Sequence, residues 1–263
     1  MHVKRALVTG AGQRLGRDMA LALAGRGYDV AVHYASSRDG AVETVADIAS
    51  KGRKAAALQA DLLDESATQS LLPTAARALG GPIDVLVNNA SIFDYDNIET
   101  MDRSHWDRHL NSNLRAPVVL TQSLAAQIGD PEPDERGEPR ARGLVVNMID
   151  QRVRALTPEF MSYTIAKSAL WAFTQTAAQA LAGRVRVNAI GPGPTVQGHR
   201  QSDAHFQTQR AGTITGRGSN PEDIVGALLY FLDADAVTGQ LLCVDGGQHL
   251  GWQTPDIVGR INQ

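Results

Sequence analysis

The sequence predicts an α/β fold: a parallel, doubly wound sheet of seven strands with helices on both faces. Three observations carry that expectation. Short apolar, β-branched runs alternate with longer Ala- and Leu-rich segments along the chain. The runs are nearly continuous in apolar residues, as strands buried on both faces are. A glycine-rich turn follows the first run and opens the first helical segment.

The first strand, Ala6–Thr9, runs into Thr9-Gly-Ala-Gly-Gln-Arg-Leu-Gly16 and the helix Leu15–Ala24. Glycine there lets a backbone approach a pyrophosphate, and a helix N-terminus attracts the anion. Gly10, Leu15 and Gly16 are therefore candidate dinucleotide contacts. The second strand, Asp29–Tyr34, decides which dinucleotide. An acid at its end would hold the ribose 2′-hydroxyl of NAD, whereas cations and hydroxyls accept a 2′-phosphate. The chain reads His33-Tyr-Ala-Ser-Ser-Arg38, with no acid before Asp39. NADPH/NADP+ is favoured, with His33, Tyr34, Ser36 and Ser37 as contacts and the Arg14 fork within reach of a phosphate. Ser36, Ser37 and Arg38 could instead form a solvated turn capping the next helix.

Helix Ala41–Ser50 and strand Ala55–Gln59 follow, then Asp61 and Leu62. Helix Glu65–Leu79 and strand Ile83–Asn88 lead to Asn89, Ala90 and Ser91. These positions fall at the carboxyl edge of the sheet, where open α/β folds bind ligands. Ordinary turn chemistry would also suit Asn and Asp there. Helix Ser104–Ile128 is followed by the Pro- and charge-rich insertion Gly129–Arg142, expected as a mobile surface loop. Strand Gly143–Ile149 ends at Asp150. Helix Pro158–Ala182 carries Tyr163 and Lys167, four apart and so on one face. An amine beside a phenol favours the phenolate and lowers a pKa of about 10. The pair suits proton transfer in carbonyl or imine chemistry. Strand Val185–Ile190 precedes Thr195–Gly218, which has little apolar periodicity. Helix Pro221–Leu232 and strand Leu241–Val244 complete the pattern.

With no composition shift or repeat, residues 1–263 read as one domain. Net charge is −3, from 25 Lys+Arg against 28 Asp+Glu, and no basic stripe suggests nucleic acid. The lone Cys243 excludes an internal disulfide and reads as a core thiol. No apolar run approaches the ~20 residues of a membrane span. No signal-peptide h-region is visible, so a cytoplasmic protein is expected. No His/Asp/Glu spacing suggests a metal. His199 and His205 read as solvated loop residues.

Taken in order, TGxxxxxG at 9–16, Asp61, Asn88-Asn-Ala90, Asn113, Tyr163-xxx-Lys167, Pro192-Gly193 and Val244-Asp-Gly-Gly247 resemble the short-chain dehydrogenase/reductase family over nearly the whole chain. The resemblance implies a Rossmann-type domain, a nicotinamide cofactor and a homotetramer built on the long helices after strands four and five. It implies that Lys167 binds the nicotinamide ribose, that Asn113 supports a water chain to Lys167, and that Pro192 and Gly193 shape the nicotinamide pocket. It also makes 195–218 a substrate lid.

One departure narrows the expectation. Most members carry serine thirteen residues before the tyrosine, where this chain has Asp150. Together with Arg14, the His-Tyr ending strand two and Asn-Ala-Ser-Ile-Phe93, this resembles the pteridine reductase branch. That branch implies a substrate site of Arg14, Ser91, Phe93, Asp150 and Tyr163, with Arg14 on cofactor phosphate and pterin. A carboxylate suits an amino-ring edge, and Phe93 offers a flat face to a heteroaromatic ring. Asp150 could instead be a capping acid, and Phe93 core. The expected reaction is hydride transfer from NADPH to a pterin C=N bond, with Tyr163 giving the proton directly or through Asp150 and a water. Alternatives are the same chemistry on a ketone, sugar or 3-oxoacyl substrate, and a non-catalytic NADP(H)-binding sensor, against which intact Tyr163, Lys167 and Asn113 argue. The tail 248–263, with Trp252, Ile257 and Val258, is expected at an oligomer contact, and Arg260 could reach a neighbouring site.

Overall fold

The structure, a computed structural model, describes residues 3–198 and 201–253. His199, Ile257, Val258 and Arg260 lie outside the described residues. Strands β1 (Arg5–Val8), β2 (Asp29–Tyr34), β3 (Ala55–Gln59) and β4 (Val85–Asn88) alternate with helices α1 (Arg14–Gly25), α2 (Arg38–Ser50) and α3 (Glu65–Leu79). Next come α4 (Arg103–Leu110), a π-turn (Asn111–Arg115), α5 (Ala116–Gln127) and the short strands β5 (Glu132–Pro133) and β6 (Pro139–Arg140). Then follow β7 (Gly143–Met148), α6 (Met161–Ala180), β8 (Val185–Pro192), α7 (Asp203–Ala211), α8 (Pro221–Asp233) and β9 (Leu241–Val244). Seven strands pair in the order β3-β2-β1-β4-β7-β8-β9, and every pairing is parallel.

Both faces of the sheet are covered, which is why strands such as β1 and β7 carry apolar runs rather than polar alternation. In β1, Ala6 and Val8 enter one core with Met19, Leu23, Ile224 and Phe231. Leu7 points the other way, into a core with Leu71, Leu72, Leu120 and Leu124. Full burial of such a Leu or Phe is worth about 1.5–3 kcal/mol. Helix α1 presents Gly16, Met19, Ala20, Leu23 and Ala24 as one buried stripe. Asp64 caps α3 through the amides of Ser66 and Ala67, and Gly80 ends it at φ 84°. The chain reverses direction across the sheet between β1 and β4. That switch point opens a crevice at their carboxyl ends.

Four sequence expectations are revised. Helix Ser104–Ile128 is interrupted by the π-turn, because Pro117 has no N–H to return the α-helical bond to the Asn113 carbonyl. The 129–142 insertion holds a small antiparallel pair, closed by Asp134 accepting from the amides of Arg136 and Glu138. The segment 195–218 contains α7, which buries none of its residues and so shows no apolar period. The helix carrying Tyr163 starts at Met161, not Pro158. Among the described residues, no helix is long and apolar enough to cross a membrane.

Candidate active site

The turn after β1 is built for close approach. A side chain at Gly16 would collide with the Gly10 carbonyl, and one at Gly12 would lie 2.8 Å from the Ser37 carbonyl. Gly10 has φ 63°. The N-cap of α1, Gln13, makes no side-chain capping bond, and its first turn holds no acid. The opening amides of α1 are thereby left to an anion. The turn is braced from β4: Asn89 Nδ2 donates to the carbonyls of Thr9 and Gly10, and the amides of Asn89 and Ala90 donate to Thr9 Oγ1. These features fit a dinucleotide pyrophosphate.

His33 does not face a cofactor, which corrects the sequence expectation. Its ring is buried; Nδ1 accepts from the Gly10 amide and Nε2 donates to the Ala60 carbonyl. Burial lowers its pKa to about 4, so it is a neutral spacer behind the glycine turn. Tyr34 is partly exposed at the end of β2, and Ser36 is exposed beyond it. Ser37 is the N-cap of α2 yet makes no side-chain capping bond, so the capping alternative is not what its hydroxyl does. Asp61 accepts from the Leu63 amide in the turn after β3, next to buried Leu62. Arg14, at φ 53°, donates to the carbonyls of Val196 and Gln197. Its fork thus joins the glycine turn to the segment after β8, a contact between positions far apart in the sequence.

Tyr163, Asp150 and Lys167 converge at the ends of β7 and α6. Tyr163 Oη donates to Asp150 Oδ2 at 3.0 Å, and Lys167 Nζ donates to the Met148 carbonyl at 2.7 Å. Asp150 also caps a 3₁₀ turn, Gln151–Arg154, accepting from the Arg152 amide. The capping alternative thus holds for Oδ1, while Oδ2 meets the Tyr163 hydroxyl. Burial raises the Asp150 carboxyl above its ordinary range, opposed by Arg152 and by the Tyr163 hydrogen bond. Tyr163 is not the lowered phenol that the Tyr/Lys spacing suggested. Burial, then the Asp150 charge and hydrogen bond, push it well above its ordinary value. Lys167 gives one N–H to the Met148 carbonyl, and its Nζ lies 5.7 Å from the phenol ring centroid. Its own pKa falls to about 8, through burial against the raising effect of Asp150. Pro192 and Gly193 close the far side at the end of β8, where a Cβ on Gly193 would lie 2.6 Å from that of Asp245.

Above Tyr163, Phe93 is half exposed. Phe160 stacks on it, with centroids 4.3 Å apart and planes at 8°, and Tyr163 meets it edge-on at 4.7 Å. One face of Phe93 is thus covered by its own chain, and the core alternative does not hold. Phe160 is the residue most clearly missed: it sits at φ 54°, a costly conformation for a side chain of its size. Arg152 lies over its ring, and Tyr95 meets it edge-on. Nothing in the sequence spacing marked it. Asn113 is buried, and both ends of its amide hold Ile92: Oδ1 accepts from the Ile92 amide at 2.9 Å and Nδ2 donates to its carbonyl at 2.8 Å. Ser91 Oγ donates to the same Oδ1. The Asn113 side chain therefore orders the loop that carries Phe93.

Comparison with known proteins places this geometry. The model of the short chain dehydrogenase family matches residues 4–207. The structure of alternative dihydrofolate reductase 1 (FolM) from Brucella suis, in complex with NADP, is 40% identical, with a TM-score of 0.89 over 97% of this chain and 98% of that one. The angucycline C-6 ketoreductase LanV with bound NADP is 28% identical, with a TM-score of 0.85 over 94% and 96%. A 3-oxoacyl-[acyl-carrier-protein] reductase of Staphylococcus epidermidis is 30% identical over 252 residues, 94% of this chain and 99% of that protein.

Proposed function

This chain belongs to the short-chain dehydrogenase family, and on that premise we propose that it is an NADPH-dependent reductase of a pterin of the dihydropterin or dihydrofolate type. One observation carries the substrate class: the Asp150 carboxylate lies 3.0 Å from the Tyr163 hydroxyl, with the Phe93 ring edge-on to Tyr163 at 4.7 Å. A carboxylate can bind the amino edge of a heterocycle and relay a proton to ring nitrogen, for which a hydroxyl is less suited. The likeness to the Brucella dihydrofolate reductase supports the same class.

When bound, NADPH supplies the hydride. Gly10, Leu15, Gly16 and the α1 amides hold the pyrophosphate, while Ser36, Ser37 and Arg38 meet the 2′-phosphate. Asp61 and Leu62 border the adenine; Asn89, Ala90 and Ser91 line the β4 edge; Lys167 holds the nicotinamide ribose. Tyr163, kept as a neutral phenol, donates the proton to the substrate nitrogen, directly or through Asp150 and a water. The Asn113 carbonyl, which Pro117 cannot serve, is the group to hold a water toward Lys167. Arg14 ties the lid, residues 195–218, to the cofactor turn. Exposed Leu156, ahead of α6, and Ile165, on it, support a homotetramer built on α5 and α6.

A second reading, reduction of a carbonyl, is supported by the likeness to the 3-oxoacyl and angucycline reductases. NADPH oxidation assayed with dihydrobiopterin, dihydromonapterin and dihydrofolate beside 3-oxoacyl thioesters and simple ketones separates the two. Turnover confined to carbonyls would leave Tyr163 chemistry standing and remove the pterin assignment.

A further inference from the structure

Beneath Phe93 and Tyr163 lies a polar chain that neither cofactor nor substrate needs to touch. Asp96, His109 and Ser162 are each fully buried. The Asp94 amide donates to His109 Nε2 at 3.1 Å, so the ring proton sits on Nδ1. His109 Nδ1 donates to Ser162 Oγ at 2.6 Å, and Ser162 Oγ donates in turn to Asp96 Oδ2. Asp96 Oδ1 also accepts from the Ser162 amide at 3.1 Å. Donors and acceptors therefore run in one direction, and each partner leaves the next a single role.

The position of this chain gives it a purpose. The loop from 89 to 102 has no regular structure, yet it carries Phe93. Its neighbours on both sides are tied to α4 and the π-turn: Ile92 to Asn113, and Asp94 to His109, one helical turn earlier. Helix α6, which carries Tyr163 and Lys167, has no capping side chain at its own N-cap, Phe160. Asp96 supplies the missing cap from a distance, placing a carboxylate against the first turn of α6. The same three side chains thus fix the substrate-facing loop and the start of the helix bearing the proton donor. Burial holds the His109 imidazole below its ordinary pKa, in keeping with a neutral ring.

We propose that Asp96, Ser162 and His109 are positioning residues that set Phe93 and Tyr163 in one mutual geometry for the reaction. The proposal rests on the reading of Phe93 as a substrate contact.

The test uses His109→Phe, which keeps an aromatic ring without its nitrogens, and His109→Gln, whose amide oxygen can take the place of Nε2 as acceptor; Ser162→Ala breaks the chain at its centre. Hydrogen exchange should quicken about tenfold at 92–97 and 161–163 in His109→Phe and Ser162→Ala, with sheet amides unchanged; tenfold is about 1.4 kcal/mol. Substrate KM should rise by a similar factor while NADPH affinity holds, and His109→Gln should restore both values. Unchanged exchange, or KM and NADPH affinity lost together, would overturn the proposal. Should the wild-type protein reduce only a carbonyl, the pterin reading falls, while exchange and the KM measured on that carbonyl still decide the positioning role. If His109→Phe does not fold, Ser162→Ala and His109→Gln give the same comparison.

Discussion

The Tyr163 hydroxyl donates to Asp150 Oδ2 at 3.0 Å; burial raises the pKa of both groups, and the Asp150 carboxylate raises that of Tyr163 further. A serine at this position would offer the phenol a neutral hydroxyl. Here a carboxylate fills the position, so the phenol is held protonated and the proton has a short path to a second carrier. The Tyr/Lys spacing alone would have suggested a phenolate.

Tyr163→Phe removes the donor and leaves the fold. Turnover should fall by about 10² to 10⁴. NADPH binding, followed by its fluorescence, should stay near wild type, because the phenol sits at the reacting end of the site. Turnover within a few fold of wild type would remove Tyr163 as proton donor.

Lys167 makes stability depend on alkaline pH. Its pKa is about 8 in the fold against an ordinary 10.5. Between those values the unfolded chain binds more protons than the native one, so this group's contribution to stability rises with pH there and is unfavourable below pH 8. The difference in unfolding free energy between wild type and Lys167→Met should therefore shift in favour of wild type from pH 8 to 10.5. Parallel pH profiles for the two proteins would contradict the lowered value.

Cofactor choice is assigned to the Ser36, Ser37 and Arg38 turn. Arg38→Glu puts like charge beside the expected 2′-phosphate. The preference for NADPH over NADH in kcat/KM should drop by at least about tenfold, the order of one lost charge-assisted hydrogen bond. An unaltered ratio would move the phosphate contact elsewhere, with Arg14 the next cation to test.

The proposed assembly is open to native mass spectrometry. Four copies of the 28.1 kDa chain are expected. Ile165→Glu, on the exposed apolar side of α6, should shift the population to dimers or monomers. A wild-type monomer at micromolar concentration would contradict the tetramer.

The sheet was legible because strands such as β1 are apolar on both sides, as Leu7 against Ala6 and Val8 illustrates. The Gly10 to Gly16 turn was legible because its packing admits no side chain. What the sequence could not show depends on contacts between distant segments. His33 reads as a cofactor contact until both ring nitrogens are found engaged. The tie from the Asn113 side chain to the loop bearing Phe93 appears only when Ile92 is found on both ends of its amide. Helix α7 hid because all its faces are exposed or half exposed, so it has no period to detect. Phe160 carries no motif; only its backbone angle and its stacking on Phe93 mark it.

The most direct test is the ratio of kcat/KM for a dihydropterin over a 3-oxoacyl thioester, measured for the wild-type protein and for Asp150→Ser. Wild type should favour the pterin, and Asp150→Ser should lower that ratio by at least about tenfold, the worth of one charge-assisted hydrogen bond, while retaining NADPH binding. A wild-type protein that prefers the thioester, or a ratio that Asp150→Ser leaves unchanged, would contradict the assignment of Asp150 to a nitrogen heterocycle.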